Sequence, residues 1–250
     1  MHIVVIGGTG LIGRKVMRIL ETRGHRAVAA TPSTGVDVTT GKGLDDALAD
    51  AQVVVDVSNS PSFDEAMARS FFERAGANLA RAERRAGVRH HVALSVVGTE
   101  RLQDSGYFRA KLAQEEMIAA SGIPFTIVRA TQFFEFLAAI AASGMSDGRV
   151  HLPPASFQPI AADDVADAVA DAALAAPRNG MVEIAGPDRK PMSGFVADYL
   201  RQLHDPREVV NDAAADYFGT RIDDRSLIPD ADARLGRIHL AEWVRQHPAG

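Results

Sequence analysis

The chain has no cysteine among its 250 residues. That excludes disulfides, thiolate metal sites and a cysteine nucleophile, and it suits a reducing compartment. Tyrosine occurs only three times, so a tyrosine in a patterned position carries information. There is no excess of positive charge. The net charge is −5 and the pI about 5.9, the opposite of the basic footprint that nucleic acid demands. No apolar run approaches the ~20 residues of a membrane span. The N-terminus enters a strand directly, without the basic region and apolar core of a signal peptide. These absences predict a cytoplasmic protein with neither nucleic acid nor membrane as partner. What is present is an ordinary globular composition, 46% hydrophobic and 24% charged, in a chain long enough to bury a full core.

The periodicity alternates. Apolar runs at 3–6, 27–30, 53–57, 91–97 and 125–129 read as buried parallel strands, with a short further strand at 36–38. Helical spacing separates them at 11–20, 44–51, 105–121 and 132–143. A long helix opens at the capping box Ser62-x-x-Glu65, carries Met67, Phe71, Ala75, Leu79 and Ala82 on one stripe, and stops at Gly87. Strand–helix alternation over about 145 residues predicts an α/β fold, a Rossmann-like doubly wound parallel sheet. Beyond it the pattern loosens, with helices expected at 163–176, 195–203 and 238–245 and a strand at 181–185. Residues 1–250 thus read as a single dinucleotide-binding domain, in which about 145–250 form a small C-terminal substrate lobe. The irregular stretch 213–221, with Tyr217 and Phe218, is a candidate lid over the substrate.

Between the first strand and the first helix stands Gly7-Gly8-Thr9-Gly10-Leu11-Ile12-Gly13. Gly8-x-Gly10-x-x-Gly13 matches the dinucleotide fingerprint in its required setting, strand before and helix after. Glycines there permit a tight turn, close approach of backbone to a pyrophosphate, and close helix–strand packing. The helix start offers free N–H groups and a positive dipole end to the anion. About 20 residues on, an NAD site places a carboxylate against the ribose 2′-hydroxyl. Here no carboxylate lies between Glu21 and Asp37; the place is held by Thr31-Pro32-Ser33-Thr34. Hydroxyls on Ser33 and Thr34, with Arg14 nearby, predict NADP(H) in preference to NAD(H). Ser58-Asn59 follow the 53–57 strand at its carboxyl end, where ligands lie in open α/β sheets.

Tyr107 and Lys111 stand at i and i+4, on one face of a helix. Ser95 lies on the strand before it. With the glycine turn in the form Gly7-x-x-Gly10-x-x-Gly13, Asp37-Val38, Leu94-Ser95 and Val128-Arg129-Ala130-Thr131, the chain resembles an atypical short-chain dehydrogenase/reductase of the NmrA-like NAD(P)-binding family over essentially its whole length. That resemblance implies a catalytic set of Ser95, Tyr107 and Lys111. Tyr107 would protonate a carbonyl oxygen as hydride arrives, Ser95 would orient that oxygen, and Lys111 would hold the nicotinamide ribose and lower the phenol pKa. It also implies cofactor contacts from Gly7, Thr9, Gly10, Leu11, Ile12, Gly13, Ser33, Asp37, Val38, Ser58, Asn59, Lys111 and Thr131, with Asp37-Val38 against the adenine.

The expected function is an NADPH-dependent oxidoreductase that passes hydride to a small carbonyl, quinone or conjugated substrate, acting as monomer or homodimer. The alternative is a non-catalytic NADP(H)-sensing regulator, since many NmrA-like proteins lack the tyrosine. A sugar-nucleotide epimerase ranks lower because the C-terminal part is small. Phe133, Phe134 and Phe136 are candidates for a pocket wall, with plain core the competing reading. His90 and His91 alternate on a strand and should face opposite ways, so no metal site is expected.

Overall fold

The structure is a computed structural model and describes residues 1–247. Along the chain lie β1 (His2–Ile6), α1 (Leu11–Thr22), β2 (Arg26–Ala30), α2 (Leu44–Ala47), β3 (Val53–Asp56), α3 (Glu65–Ala86), β4 (His90–Val96), α4 (Gly106–Ala120) and β5 (Phe125–Ala130). They are followed by α5 (Leu137–Ser143), β6 (Met145–Ser146), β7 (Arg149–Leu152), β8 (Ser156–Phe157), α6 (Ala162–Leu174) and β9 (Gly180–Ala185). Last come β10 (Lys190–Pro191), α7 (Met192–Gln202), β11 (Val209–Asn211), β12 (Arg234–Leu235) and α8 (Leu240–Gln246).

Seven strands form a parallel sheet in the order β12-β9-β5-β4-β3-β1-β2. Its middle strands are buried on both faces: Ile3, Val4, Val5, Val54 and Val55 have no exposed surface. Strand order reverses at β1, which pairs with β2 on one side and β3 on the other. The crevice beyond the carboxyl ends of β1 and β3 is therefore the switch point where such sheets take ligands.

No strand forms at 36–38. Residues Pro32–Thr34 make a 3-10 turn, Gly35 is left-handed at φ 86°, and Asp37 makes only a single bridge to Lys42. The Asp37 carboxylate accepts from the Thr39 N–H at 2.8 Å and its hydroxyl at 2.7 Å, and this local bonding displaces a sheet ladder. Helix α3 is capped by Asp64, which accepts from the Met67 N–H at 3.0 Å, and not by Ser62. Its buried stripe is Ala68, Phe72, Ala75, Leu79 and Ala82, one residue out of the expected phase at its start; Met67 is 57% exposed. The helix expected at 132–143 begins as a 3-10 turn, Phe134–Phe136, before α5.

The chain divides into two compact units. One comprises Met1–Arg129 with Val165–Val182, and the other 130–164 with 183–247. The second unit thus starts earlier than about 145, and the chain returns to the first through most of α6. In the second unit Phe134 is buried against Phe195 and Trp243, with ring centroids 5.9 and 5.7 Å away, so Phe134 is core. Phe133 stacks on the half-exposed Phe136 at 5.5 Å. The 213–221 stretch folds on itself through a Tyr217–Thr220 bridge and an Arg221–Asp216 ion pair of 2.9 Å. Among the described residues no helix is long and apolar enough to cross a membrane.

Candidate active site

The glycine turn lies in the first unit at the carboxyl end of β1. Gly7 is left-handed at φ 77°, and a Cβ there would meet Ser58 N and Val57 O at 3.1 Å. A Cβ on Gly8 would stand 2.7 Å from the Ala29 Cβ, and one on Gly13 would stand 2.1 Å from the Gly7 oxygen. The chain's own packing demands glycine at these three places. Gly10 differs. Its φ of −75° suits any residue, and a Cβ there would meet only the Gly7 oxygen, at 3.2 Å. Gly10 is also the N-cap of α1, which has no side-chain cap. Its N–H donates to Gly7 O at 2.9 Å, and the helix begins at Leu11 and Ile12. A bare backbone with a single close neighbour, at an uncapped helix start, suits a diphosphate. Thr9 is exposed beside it.

The adenosine-side residues are held by local bonds. Thr34 Oγ1 accepts from Thr31 N at 2.9 Å and donates toward Thr31 O at 3.0 Å, so that hydroxyl is committed to the turn. Ser33 Oγ is exposed and shares a 2.9 Å bond with Thr31 Oγ1. The Thr39 hydroxyl and backbone hold the Asp37 carboxyl below its ordinary range. Asn78 of α3 donates to Val38 O at 2.9 Å and Thr39 O at 3.1 Å, fixing the Asp37-Val38 segment from behind. Nothing in the local sequence pattern singled out Asn78.

Three features carry Tyr107 to its place. Gly106 opens α4, and a Cβ there would stand 2.4 Å from the Glu65 Cβ, so the first turns of α3 and α4 touch. Arg109 of α4 grips Glu65 with both ends of its guanidinium, Nε to Oε1 at 2.8 Å. The phenol ring then packs edge-on to Phe63 at 5.1 Å and Phe108 at 5.9 Å. Its hydroxyl donates to Asn59 Oδ1 at 3.0 Å. Burial pushes the phenol up to about 12, only partly offset by the Asn59 bond. The lowering by Lys111 implied by the family resemblance is therefore not produced by the protein's own groups.

Lys111 is turned inward and is 2% exposed. Its Nζ donates to the Leu94 carbonyl at 3.0 Å and to Gln114 Oε1 at 2.5 Å, and it lies 4.7 Å from the centroid of the Phe72 ring. Burial lowers it to about 8, against the opposing pull of the Asp56 and Glu115 carboxylates. Gln114 Nε2 in turn donates to Asp56 Oδ2 at 3.3 Å. Asp56 ends β3 and accepts on Oδ1 from Ser58 N at 2.9 Å and Ser58 Oγ at 2.6 Å. Ser95, on β4 beside Leu94, is 4% exposed, and its Oγ has no partner within the protein.

Asp56 and Gln114 were missed by sequence reasoning. The signal available was a carboxylate closing an otherwise apolar strand, a residue type that a buried strand admits only with partners. Arg129 stands out in the sequence only as part of a strand ending. It is a buried clamp, bidentate on Glu115 at 3.0 and 2.6 Å and reaching Glu100 in the loop after β4 at 2.5 Å. His90 and His91 take different partners: Thr126 Oγ1 at 2.9 Å and Glu83 Oε1 at 2.6 Å. Thr131, in the second unit, follows β5; its N–H donates to Ile184 O at 3.0 Å while its buried Oγ1 has no partner.

The NmrA-like family pattern matches residues 1–189. Two curated relatives, the photosystem II assembly factors Ycf39 of Synechocystis sp. (strain ATCC 27184 / PCC 6803 / Kazusa) and Cyanophora paradoxa, are 24% and 26% identical over 151 residues. These alignments cover 55% of this chain and 46% and 47% of theirs, so the match spans about half the length of those relatives. Among solved structures, MoeE5 in complex with UDP-glucose and NAD has a TM-score of 0.74 at 18% identity, covering 99% of both chains. A short-chain dehydrogenase/reductase superfamily protein from Agrobacterium tumefaciens with bound NAD has a TM-score of 0.73 at 15% identity, covering 98% of this chain and 95% of its own. The dTDP-4-dehydrorhamnose reductase of Bacillus anthracis str. Ames, in complex with NADP, scores 0.71 at 12% identity, covering 98% and 92%. The structural likenesses agree with the fold; the match over residues 1–189 makes this chain a member of the NmrA-like family.

Proposed function

We propose that the chain binds a nicotinamide dinucleotide, NADP(H) in preference to NAD(H), and uses it to reduce a small carbonyl, quinone or conjugated substrate. The observation that carries the dinucleotide half is Gly10, the fingerprint glycine of Gly8-x-Gly10-x-x-Gly13 that the chain's own packing constrains least: its φ suits any residue and an added Cβ would crowd one atom, the Gly7 oxygen at 3.2 Å. Gly7, Thr9, Leu11, Ile12 and Gly13 complete the proposed diphosphate cradle, with Asp37 and Val38 on the adenine side and Ser58 and Asn59 toward the nicotinamide. The lack of a carboxylate between Glu21 and Asp37, with the exposed Ser33 hydroxyl, supports the 2′-phosphate. The bound cofactor supplies hydride. Ser95, buried with an unpartnered Oγ, orients the substrate oxygen, and Tyr107 delivers the proton to it. Lys111 acts through its charge and its grip on the Leu94 carbonyl.

A second reading has its own support: a dinucleotide-binding regulator with a protein partner. Lys111 is committed inward and the phenol stands at about 12, far above the working pH that suits a general acid. The curated relatives are also named as assembly factors.

Titration of the protein with NADPH and NADH, followed by nicotinamide fluorescence, tests the shared premise. Tighter binding of NADPH is expected, and no binding of either sinks both readings. NADPH consumption with a carbonyl and quinone panel then separates them. Turnover that is lost in Tyr107→Phe, with NADPH affinity within about twofold of wild type, is the result expected of a reductase. Binding without turnover of any panel member is the result expected of a regulator.

A further inference from the structure

Lys111 is an ammonium almost wholly out of water, yet no carboxylate touches it. Its oxygen partners are a backbone carbonyl and the Gln114 carboxamide, both neutral. Taking such a cation out of water is costly unless a counter-charge is within reach. The Gln114 amide is oriented by its two neighbours: its oxygen faces the lysine and its N–H₂ faces the Asp56 carboxylate. That is the orientation that carries the attraction of a carboxylate to an ammonium through an amide dipole. Asp56 is itself 3% exposed and is anchored by the backbone N–H and hydroxyl of Ser58. The other charged groups around it are engaged elsewhere. Glu115 on α4 is locked to Arg129 of β5, and Glu83 on α3 is bonded to His91 of β4. At the far end the ammonium holds the carbonyl of Leu94, the residue joined directly to Ser95.

We infer that Asp56, acting through the Gln114 carboxamide, is the counter-charge that keeps Lys111 a buried cation on the Leu94 carbonyl, and that this chain positions Ser95. Asp56 and Gln114 are positioning residues. Lys111 serves the site by fixing the strand end that bears Ser95, in place of contact with the phenol. The significance for catalysis rests on the reductase reading above; the charge relation itself does not.

The chain has only four lysines, Lys15, Lys42, Lys111 and Lys190, so the side chain can be read directly. The protein is labelled with lysine carrying ¹³C at Cε and titrated by NMR, with neither dinucleotide nor substrate present. One resonance is expected to titrate near pH 8, apart from the other three, and to disappear in Lys111→Met. In Asp56→Asn its midpoint should fall by at least about one pH unit, a tenfold change in proton affinity. Asp56→Glu should restore part of the difference. Four lysines titrating together near ~10.4, or a midpoint unmoved by Asp56→Asn, would overturn the inference. Should Asp56→Asn fail to fold, Gln114→Met removes the carboxamide that links the two charges. The midpoint must then fall below that of wild type, and an unchanged midpoint overturns the inference equally. A failed NADPH titration leaves this result untouched, so the two proposals fail separately.

Discussion

The turn at Gly7–Gly13 and the first turns of α4 both carry family motifs, and they behave differently. At the turn the residues do what their types require. Gly7 takes a left-handed φ, and Gly8 and Gly13 permit backbone contacts that any Cβ would obstruct. At α4 the residue types are right, but their spacing does not say where the side chains go. Tyr107 and Lys111 share a helix face, yet the phenol hydroxyl bonds Asn59 while the ammonium bonds Leu94 and Gln114. A backbone motif constrains geometry through sterics between atoms that cannot swing away, whether near in the chain, as Gly13 against Gly7, or on the next strand, as Gly8 against Ala29. A side-chain motif acts through long flexible groups, whose partners lie on the same helix, as Gln114 does, or on other elements, as Leu94 and Asn59 do.

The largest effect is expected of Gly13→Ala. Its Cβ would stand 2.1 Å from the Gly7 oxygen and 2.6 Å from the Gly8 Cα, both backbone atoms that cannot swing away. A loss of about 3 kcal/mol or more, or failure to fold, is expected in urea denaturation. A Gly13→Ala variant as stable as wild type would show that the turn is not held as described.

Next in size is the acid response of the strand beneath. Burial lowers His90 to about 4, whereas the Glu83 carboxylate outweighs burial and raises its neighbour His91. Below its ordinary pKa of 6.5, the His90 of the unfolded chain takes a proton that the folded chain refuses. Stability is therefore lost as pH falls from 6.5 toward 4, by about 3 kcal/mol from this group. His91 has the opposite sign: its contribution is present below 6.5 and fades as pH rises through its higher folded pKa. Denaturation midpoints at stepped pH in His90→Gln should lose the first effect and keep the second.

At α4 the corresponding response belongs to Lys111. Its folded pKa, about 8, lies below the unfolded 10.5. Between those values the unfolded chain binds the extra proton, so stability should rise with pH, by about 2 to 3 kcal/mol from pH 8 to 10. Lys111→Met should flatten that rise. A wild-type curve already flat over this range would mean that the ammonium is not buried.

The smallest stability effect belongs to Gly10→Ala, a loss of at most about 1 kcal/mol, because its conformation suits alanine and its one close contact, 3.2 Å to the Gly7 oxygen, needs a shift of only a few tenths of an ångström. Its binding effect should be large: at least a tenfold loss of NADPH affinity in the fluorescence titration. Equal affinity would remove the main support for the diphosphate cradle.

Much of the fold was legible in the sequence. Strands at β1, β2, β3, β4, β5 and β9 fall within one or two residues of their expected bounds, because continuous apolar runs closed by glycine or polar residues have few other homes in a parallel sheet. The short strand at 36–38 was misread because apolar Val36 and Val38 outweighed an Asp37 that bonds its own turn. The phase of α3 differs at its start because Ser62-x-x-Glu65 and Asp64 offer competing caps, and it is Asp64 that accepts from the Met67 N–H. The unit boundary near 130, and the return of Val165–Val182 to the first unit, have no local signature at all. Of the site, the glycines and the Ser95, Tyr107 and Lys111 set stood out, whereas Asp56, Asn78 and Gln114 did not. A buried polar residue is conspicuous only once its partner is known.

Residue types and their spacing carried the α/β alternation, the glycine turn at the head of α1 and membership of the family, because each needs only the identity of the residues in order along the chain. Only the tertiary structure decided where Lys111 points, what holds it and which way the Tyr107 phenol is pushed. Those depend on burial, on the Asp56 carboxylate of β3 and on neutral groups from β4 and α3, and the free energy of a buried charge is set by its whole surroundings, not by its place in the chain.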